Sequence, residues 1–378
     1  MNGNDDEKKS ALQTAAAHLV ELAASKQLVF LGDQAGISEH VSFVAQILPD
    51  LYQGGVRNLA WEFSNSRAQG ELDELLSNDE WSERKCTDLF IDLLGVGFTY
   101  SEYADVLKAA WSLNRSLPSE SSPFRVVGLG IPSYVEDPRL LEGRSAAELE
   151  LRNWWMGGHY RDVTAFHMAN TLTNEVIRQG QRALVWVSGE RSTTRLVEWE
   201  SGVPTVTVGN LLHRWMGEGV ARAVFHGAIK DSSAAQRVEE LVAASPEQPN
   251  DFGINLNLAT LGNGGLSEIA GSISGIDSSL RLRDVADSYL WLGGVETWSP
   301  CKLLDDVVTE QNYEVLQARH QALEPRDEPW SRAELAWRLL LALLCWGVLS
   351  HWDRHCLLYT SDAADEGLGV DLGGRRII

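Results

Sequence analysis

The sequence predicts an α/β fold in which a mostly parallel sheet is flanked by helices on both faces. Short apolar runs of strand length alternate with segments of helical spacing, beginning with Leu28–Leu31 and Ser38–Leu51. The strand runs are almost wholly apolar, which is typical of strands buried on both faces. Strands that alternate with helices favour a parallel sheet whose functional groups stand at the carboxyl ends of the strands.

The remaining elements continue this alternation. Further strands are expected at Val56–Trp61, Phe124–Leu129 and Ala183–Val187, with a fifth at Val203–Val208 and weaker signals at Val220–Ile229, Gly253–Leu258 and Ala286–Leu292. Further helices are expected at Ser10–Ser25, Gln69–Leu76, Cys86–Leu94, Ser101–Ser116 and within the long region Ala146–Gln179. The glycine-rich stretch Gly262–Gly275 is predicted to be a mobile loop.

Four segments are expected along the chain: an N-terminal helix over 1–26, the α/β domain over 27–318, a helical segment over 319–355 and a foreign tail over 356–378. The tail resembles a translated sequencing adapter, because Cys356–Glu366 back-translates to a transposase-type adapter and Val370–Ile378 to its outer primer. We therefore expect the natural sequence to be cut short near His355 and exclude the tail from functional reasoning.

The composition favours a globular protein that does not bind nucleic acid. Hydrophobic residues make up 44% of the chain, and the formal net charge is -21. Without the tail, which holds four acidic residues and two arginines, that charge becomes -19. A strongly acidic protein repels phosphate backbones and anionic lipid, so nucleic acids and membrane surfaces are poor partners.

Cysteine usage and the N-terminus predict a cytoplasmic protein. Outside the tail the cysteines are Cys86, Cys301 and Cys345, widely spaced and without a C-x-x-C pair, so buried free thiols are expected. The first residues contain no apolar run of signal-peptide length. The apolar segment Leu335–Trp352 is interrupted by Arg338, which favours a buried helix over a membrane anchor, since a span needs about 18 uninterrupted apolar residues.

Polar residues follow three of the predicted strands. Asp33 and Gln34 follow the first, Glu62 follows the second, and the turn Ser188–Ser192 follows the fourth. Acidic residues in such places often cap the next helix, and that alternative applies to all of them except Glu62. Glu62 stands between Trp61 and Phe63, where a carboxylate must be paired or held in a pocket.

The order of these motifs resembles the ChaN-like haem-uptake proteins and their relatives, the erythromycin esterases and Tiki-type proteases. The resemblance spans Leu28 to Ala318, and no single motif in it is very specific. It rests on the succession Leu31-Gly32-Asp33-Gln34, Glu39-His40, Leu59-Ala60-Trp61-Glu62, Arg161-Asp162, Leu184 to Gly189 and Val285 to Leu292.

The resemblance implies a site that is only half retained. The family's first turn carries a glutamate and a histidine, where this chain has Asp33 and Ala35, and the histidine expected after the fourth strand is replaced by Arg191 and Ser192. Glu62, Arg161 and Asp162 do match. The catalytic candidates are therefore Asp33, Glu62, Arg161 and Asp162; the ligand-binding candidates are Gly32, Gln34, His40, His159, Gly189 and Arg191.

Three functions remain open at this point. The first is a protein that binds haem, the cofactor that the resemblance suggests, or another small planar ligand without turnover. The second is a small-molecule hydrolase that uses Glu62 with Asp33, or with a histidine other than the two missing family histidines, such as His40, since histidine titrates near neutrality and suits general-base work. The third is an inactive partner protein. No metal site is expected, and the oligomeric state is left open.

Overall fold

The structure is a computed structural model. The structure describes residues 15–91, 100–130, 158–198, 204–226, 254–255, 286–294, 297–302, 304, 307–323 and 328–336. The predicted loop Gly262–Gly275, the apolar segment beyond residue 336 and the adapter-like segment 356–378 lie outside these residues. The proposed division into domains therefore remains a prediction.

A seven-stranded sheet forms the centre of the described structure. The described strands, of which β5 and β6 form a separate pair outside this sheet, are in chain order β1 (Leu28–Asp33), β2 (Asn58–Asn65), β3 (Arg125–Gly130), β4 (Ala183–Ser188), β5 (Val197–Glu198), β6 (Pro204–Thr205), β7 (Val220–Phe225), β8 (Ile254–Asn255) and β9 (Ser288–Leu290). The sheet has the order β3-β2-β4-β1-β7-β9-β8. Six strands are parallel and β8 runs antiparallel to β9 at the edge, which confirms the predicted fold class.

Helices cover both faces of this sheet. They are α1 over residues 15–25, α2 (Ser38–Gln53), α3 (Gln69–Ser77), α4 (Glu83–Ile91), α5 (Ser101–Ser116), α6 (Gly158–Leu172), α7 (Val208–Met216) and α8 (Tyr313–Leu323). Short 3-10 turns occupy Ser66–Ala68 and Gly217–Gly219, and a π-helical turn, Thr173–Ile177, continues α6.

The two faces of the sheet carry separate apolar cores, because successive strand residues point to opposite sides. On one side Val29, Leu31 and Trp186 pack with residues of α2 and α5. On the other side Leu28, Phe30 and Val185 pack with residues of α6 and α7. Burial on both faces explains why the strand runs are continuously apolar.

Two predicted elements differ from the structure. The described residues 204–208 form no extended fifth strand: Pro204–Thr205 makes only a two-residue antiparallel ladder with β5, and helix α7 begins at Val208. The reason is that the Thr207 hydroxyl accepts a hydrogen bond from the Asn210 N–H at 3.0 Å and so caps the helix. Helix α4 begins earlier than predicted, after the capping residue Ser82, and the described part of the long region Ala146–Gln179 is helical from Gly158.

The described cysteines agree with a further expectation. Cys86 and Cys301 are free and buried, as predicted. Among the described helices none has both the length and the apolar content that crossing a bilayer requires.

Candidate functional site

Polar residues from four neighbouring strands meet at one edge of the sheet. Strands β2, β4, β1 and β7 are adjacent in that order, and the register pairs Asp33 with Ser188. Glu62 lies on β2, and His226 directly follows β7. Since parallel strands share one carboxyl edge, the three predicted polar turns come together there.

Asp33 is a buried carboxylate whose two oxygens both have partners. Its Oδ1 lies 2.6 Å from Nδ1 of His40. Its Oδ2 accepts a hydrogen bond from the indole N–H of Trp186 at 2.9 Å. Two directional bonds fix the plane of the carboxylate, so Asp33 is suited to orienting another group rather than to acting as a free base.

His40 is the imidazole that Asp33 orients. It lies in the first turn of α2 and is fully buried. Its ring stacks on Phe225 with centroids 4.4 Å apart, and Trp298 meets it edge-on at 5.9 Å. While Nδ1 faces Asp33, Nε2 has no hydrogen-bond partner among the described residues. A buried nitrogen without a partner costs free energy unless a ligand or water bonds to it.

Glu62 forms the second polar centre of this edge. One carboxylate oxygen accepts the backbone N–H of Ser188 at 2.7 Å, and the other lies 2.6 Å from a guanidinium nitrogen of Arg191. Burial raises the pKa of Glu62, Arg191 and the Ser188 N–H oppose that shift, and the charge of Asp33 adds to it. The Arg191 side chain is 23% exposed, so its cation lies between the buried carboxylate and solvent.

Gly32 and Gly189 have internal packing roles. A Cβ on Gly32 would lie 2.5 Å from the Ser192 hydroxyl oxygen, so only glycine allows the turn after β4 to approach β1 this closely. The carbonyl of Gly189 accepts hydrogen bonds from Ser192 at 2.7 Å and from Arg222 at 2.7 Å. Gln34, which directly follows β1, is also buried.

Arg222 is a buried cation that the sequence analysis did not select. Its Nε donates to Ser192 at 2.9 Å, and its backbone N–H donates to Asp287 at 2.8 Å. Burial lowers the pKa of Arg222 to about 10, so it remains charged at neutral pH and holds the turn after β4. The sequence signal that could have identified Arg222 is its position as a charged residue inside the apolar run of β7.

His226 and Tyr289 form a second buried pair that the sequence analysis missed. The imidazole Nδ1 and the phenol oxygen are 2.5 Å apart, and each residue is 1% exposed. Trp298 lies edge-on to His226 at 5.5 Å as well as to His40. The two histidines therefore flank one indole. Because 63 residues separate His226 from Tyr289, the pairing leaves no local motif.

Three predicted site residues lie on α6. The backbone of His159, Arg161 and Asp162 belongs to the helix Gly158–Leu172. Their side chains are outside the described residues, so their assignment to the site stays a prediction. Further along the same helix, His167 Nε2 lies 2.9 Å from the hydroxyl of Ser66, which follows β2.

Two buried histidines at this edge do not fit the cofactor that the resemblance suggests. A histidine that ligates haem must be open to a wide planar macrocycle. His40 is fully buried and stacked on Phe225, and His226 is enclosed by Tyr289 and Trp298. In this packing neither imidazole is accessible to haem. The described part of the chain also holds no group of three or more histidine, cysteine or acidic residues placed to bind a metal ion.

Comparisons with known proteins reveal only distant structural similarity. No protein-family model matches the chain, and no curated protein matches it significantly. The type III effector HopBA1 is 15% identical over 56% of this chain and 82% of its own, with a TM-score of 0.37. A structure described as bacterial protein toxins is 12% identical over 59% of this chain and 39% of its own, with a TM-score of 0.33.

The haem-binding protein ChaN of Campylobacter jejuni, described with cofacial haem, is 9% identical over 55% of this chain and 84% of its own, with a TM-score of 0.29. All three similarities are too weak to indicate a ligand or an activity. The α/β class rests on the sheet itself, and function has to be inferred from the geometry at its carboxyl edge.

Proposed function

We propose that the carboxyl edge of the sheet is the site of a small-molecule hydrolase of the esterase kind, with His40 as its general base. One observation carries this proposal. Asp33 holds Nδ1 of His40 at 2.6 Å, while the opposite nitrogen, Nε2, is buried without a described partner. An acid that fixes the tautomer and orientation of an imidazole, leaving the other nitrogen for proton transfer, is the arrangement that general-base catalysis needs.

Each group has a distinct task in this reaction. His40 Nε2 takes a proton from water as the water oxygen attacks a carbonyl carbon. Asp33 stabilises the resulting imidazolium, and the Trp186 N–H keeps the carboxylate in place. The bond from carbon to the alcohol oxygen then breaks, and the imidazolium gives its proton to the departing alcohol oxygen, which restores the neutral imidazole. General-base catalysis of this kind contributes about 10²–10⁴-fold to the rate.

Glu62 acts here as a positioning residue. The hypothesis that Glu62 and Asp33 share the base function is disfavoured, because all four of their carboxylate oxygens already accept hydrogen bonds or ion pairs. Glu62 instead holds Arg191, whose partly exposed guanidinium stabilises the oxyanion that develops during attack. Because His40 is fully buried, a side chain that covers it must move before a substrate can reach Nε2. Trp298, which lies edge-on to the His40 ring at 5.9 Å, is the candidate for that side chain.

Binding without turnover is the second candidate. Binding is favoured because the carboxylates of Asp33 and Glu62 are already hydrogen-bonded or ion-paired and so do not act as bases. The Arg191 cation, held by Glu62, can still bind an anionic or carbonyl-bearing ligand. Haem as that ligand lacks support from the described geometry. An inactive partner protein, the third possibility, predicts neither turnover nor ligand. For the hydrolase and for the binding protein, the acidic composition favours a small-molecule partner over nucleic acid, and the free thiols favour a cytoplasmic location.

The experiment is a hydrolysis screen with a panel of p-nitrophenyl esters and anilides. Wild type is compared with His40→Gln, Asp33→Asn and the matched control His213→Gln, which changes a histidine on α7. Hydrolysis should fall at least about 100-fold in His40→Gln and be unchanged in the control. Turnover that survives His40→Gln would refute His40 as the base.

A haem titration separates the binding alternative. Saturable, stoichiometric development of a Soret band, altered by Glu62→Gln, in a protein that hydrolyses none of the esters would favour binding without turnover. Weak and unsaturable association would exclude haem as the specific ligand.

A further inference from the structure

A serine and a histidine outside the Asp33–His40 site lie within hydrogen-bond distance of each other. Ser66 is the first residue after β2, at the start of the 3-10 turn Ser66–Ala68 that runs into α3. His167 lies on α6, and the distance from its Nε2 to the Ser66 Oγ is 2.9 Å. Both side chains are partly exposed. A substrate can therefore reach this pair from solvent without opening the core.

His167 is suited to accept the serine proton. Partial burial lowers the pKa of His167, so its imidazole is neutral at pH 7 and carries one nitrogen with a free electron pair. With the ring proton on Nδ1, Nε2 accepts the hydrogen bond from Ser66, which is the polarity that serine activation requires.

Structural tasks that could explain the pair are performed by other residues. The cap of the 3-10 turn is the side chain of Asn65, whose Oδ1 accepts the Arg67 N–H at 2.9 Å. Helix α6 is held against the sheet by Met168 and Leu172, which are buried in the apolar core of that face. The Ser66 hydroxyl is therefore needed neither to start the turn nor to dock the helix.

We propose that Ser66 is a nucleophile activated by His167 and forms an acyl-enzyme with carboxylic esters. The Ser66 Oγ attacks the carbonyl carbon as its proton passes to His167 Nε2. The bond from carbon to the alcohol oxygen then breaks, and the alcohol leaves with that proton. Water attacks the acyl-serine, again giving a proton to His167, and release of the carboxylic acid restores Ser66.

This centre is separate from the one built on His40. The two centres share no residue, since one consists of Ser66 and His167 and the other of Asp33 and His40. His40 acts on water and forms no covalent adduct, whereas Ser66 forms one. An adduct on Ser66 therefore tests this proposal alone, and the ester screen of the His40 variants is run in a Ser66→Ala background so that it tests His40 alone.

A fluorophosphonate probe tests the proposal on the full chain. Attack by Ser66 forms a phosphorus–oxygen bond and expels fluoride, leaving an adduct that peptide mass spectrometry locates. Wild type should be labelled at Ser66. Labelling should vanish in Ser66→Ala and slow at least about 100-fold in His167→Gln. It should be unchanged in Ser116→Ala, whose hydroxyl bonds only to the Leu113 carbonyl in the described structure.

The pH dependence supplies a measurement that does not depend on any variant's folding. The labelling rate of wild type should fall as the pH drops through the lowered pKa of His167, because the protonated imidazole cannot accept the serine proton. Absence of an adduct on Ser66 would overturn the proposal, as would equal labelling of wild type and a folded His167→Gln protein.

Discussion

Trp61 and Trp186 stack face to face across β2 and β4, with ring centroids 4.9 Å apart and planes 1° from parallel. They occupy paired positions in the register of the two strands. Their indole N–H groups differ in whether they make a hydrogen bond. That of Trp186 donates to Asp33, whereas that of Trp61 is buried without a described partner. The two residues therefore allow a matched test of the Asp33 hydrogen bond.

Trp186→Phe should destabilise the protein more than Trp61→Phe. Both substitutions remove part of a buried ring, but only the first leaves a carboxylate oxygen of Asp33 without its donor. An unsatisfied buried polar group costs about 1–3 kcal/mol. The difference between the two variants in the free energy of unfolding, measured by chemical denaturation, should fall in that range. Equal losses would mean that the indole bond contributes nothing to stability.

Arg191→Leu should lower stability because it leaves the Glu62 carboxylate buried with a single described donor, the Ser188 N–H. The expected cost is about 1–3 kcal/mol, below the loss for a wholly buried ion pair because Arg191 is partly exposed. Adding Glu62→Gln should recover part of that loss, since no buried charge then remains. A double-mutant cycle measures the recovery, and strictly additive losses would contradict the pairing.

The stability of Arg191→Leu should fall with rising pH above 4.5. Burial raises the pKa of Glu62, so the folded state holds a proton on this group at a pH where the unfolded state has lost it. The resulting stability is complete below the unfolded pKa and is lost as the pH rises through the folded pKa. Denaturation across pH 4–8 should show a steeper decline for this variant than for wild type, and parallel profiles would exclude Glu62 as the source.

Acid should destabilise the wild-type protein through its half-buried histidines. Burial lowers the pKa values of His18 and His167, so the folded state binds fewer protons than the unfolded state below pH 6.5. Their contribution to stability is complete above that pH and is lost as the pH falls through the folded pKa values. His167→Gln should flatten the decline between pH 6.5 and 5 in thermal melts, and an unchanged decline would exclude His167 as a source of the acid sensitivity.

Tyr103→Phe should leave stability unchanged or increase it. The Tyr103 hydroxyl is fully buried without a described hydrogen-bond partner, and burial raises its pKa well above the usual range. Removing an unsatisfied group relieves its desolvation cost. Tyr289→Phe, which removes the bond to His226, should instead cost about 1 kcal/mol. A clear loss in Tyr103→Phe would indicate that the hydroxyl is hydrogen-bonded in solution.

The fold class could be predicted because its signal is local in sequence. A strand buried on both faces must be apolar at every position, as in Leu28–Leu31, and a helix must repeat its apolar residues every three or four positions. The prediction at Val203–Val208 was wrong for an equally local reason. An apolar run cannot be assigned to strand or helix by periodicity alone when a capping residue such as Thr207 stands inside it.

The sequence by itself determined the α/β class and placed Asp33 at the end of the first strand, where parallel strands collect their polar groups; Glu62, predicted to follow the second strand, lies inside it because β2 continues to Asn65. Only the tertiary structure decided the partners of these carboxylates. Trp186 lies 153 residues from Asp33, and Arg191 lies 129 residues from Glu62. Such pairs depend on a strand order that does not follow the chain. Because hydrogen bonds and ion pairs act over a few ångströms, that order determines which groups meet.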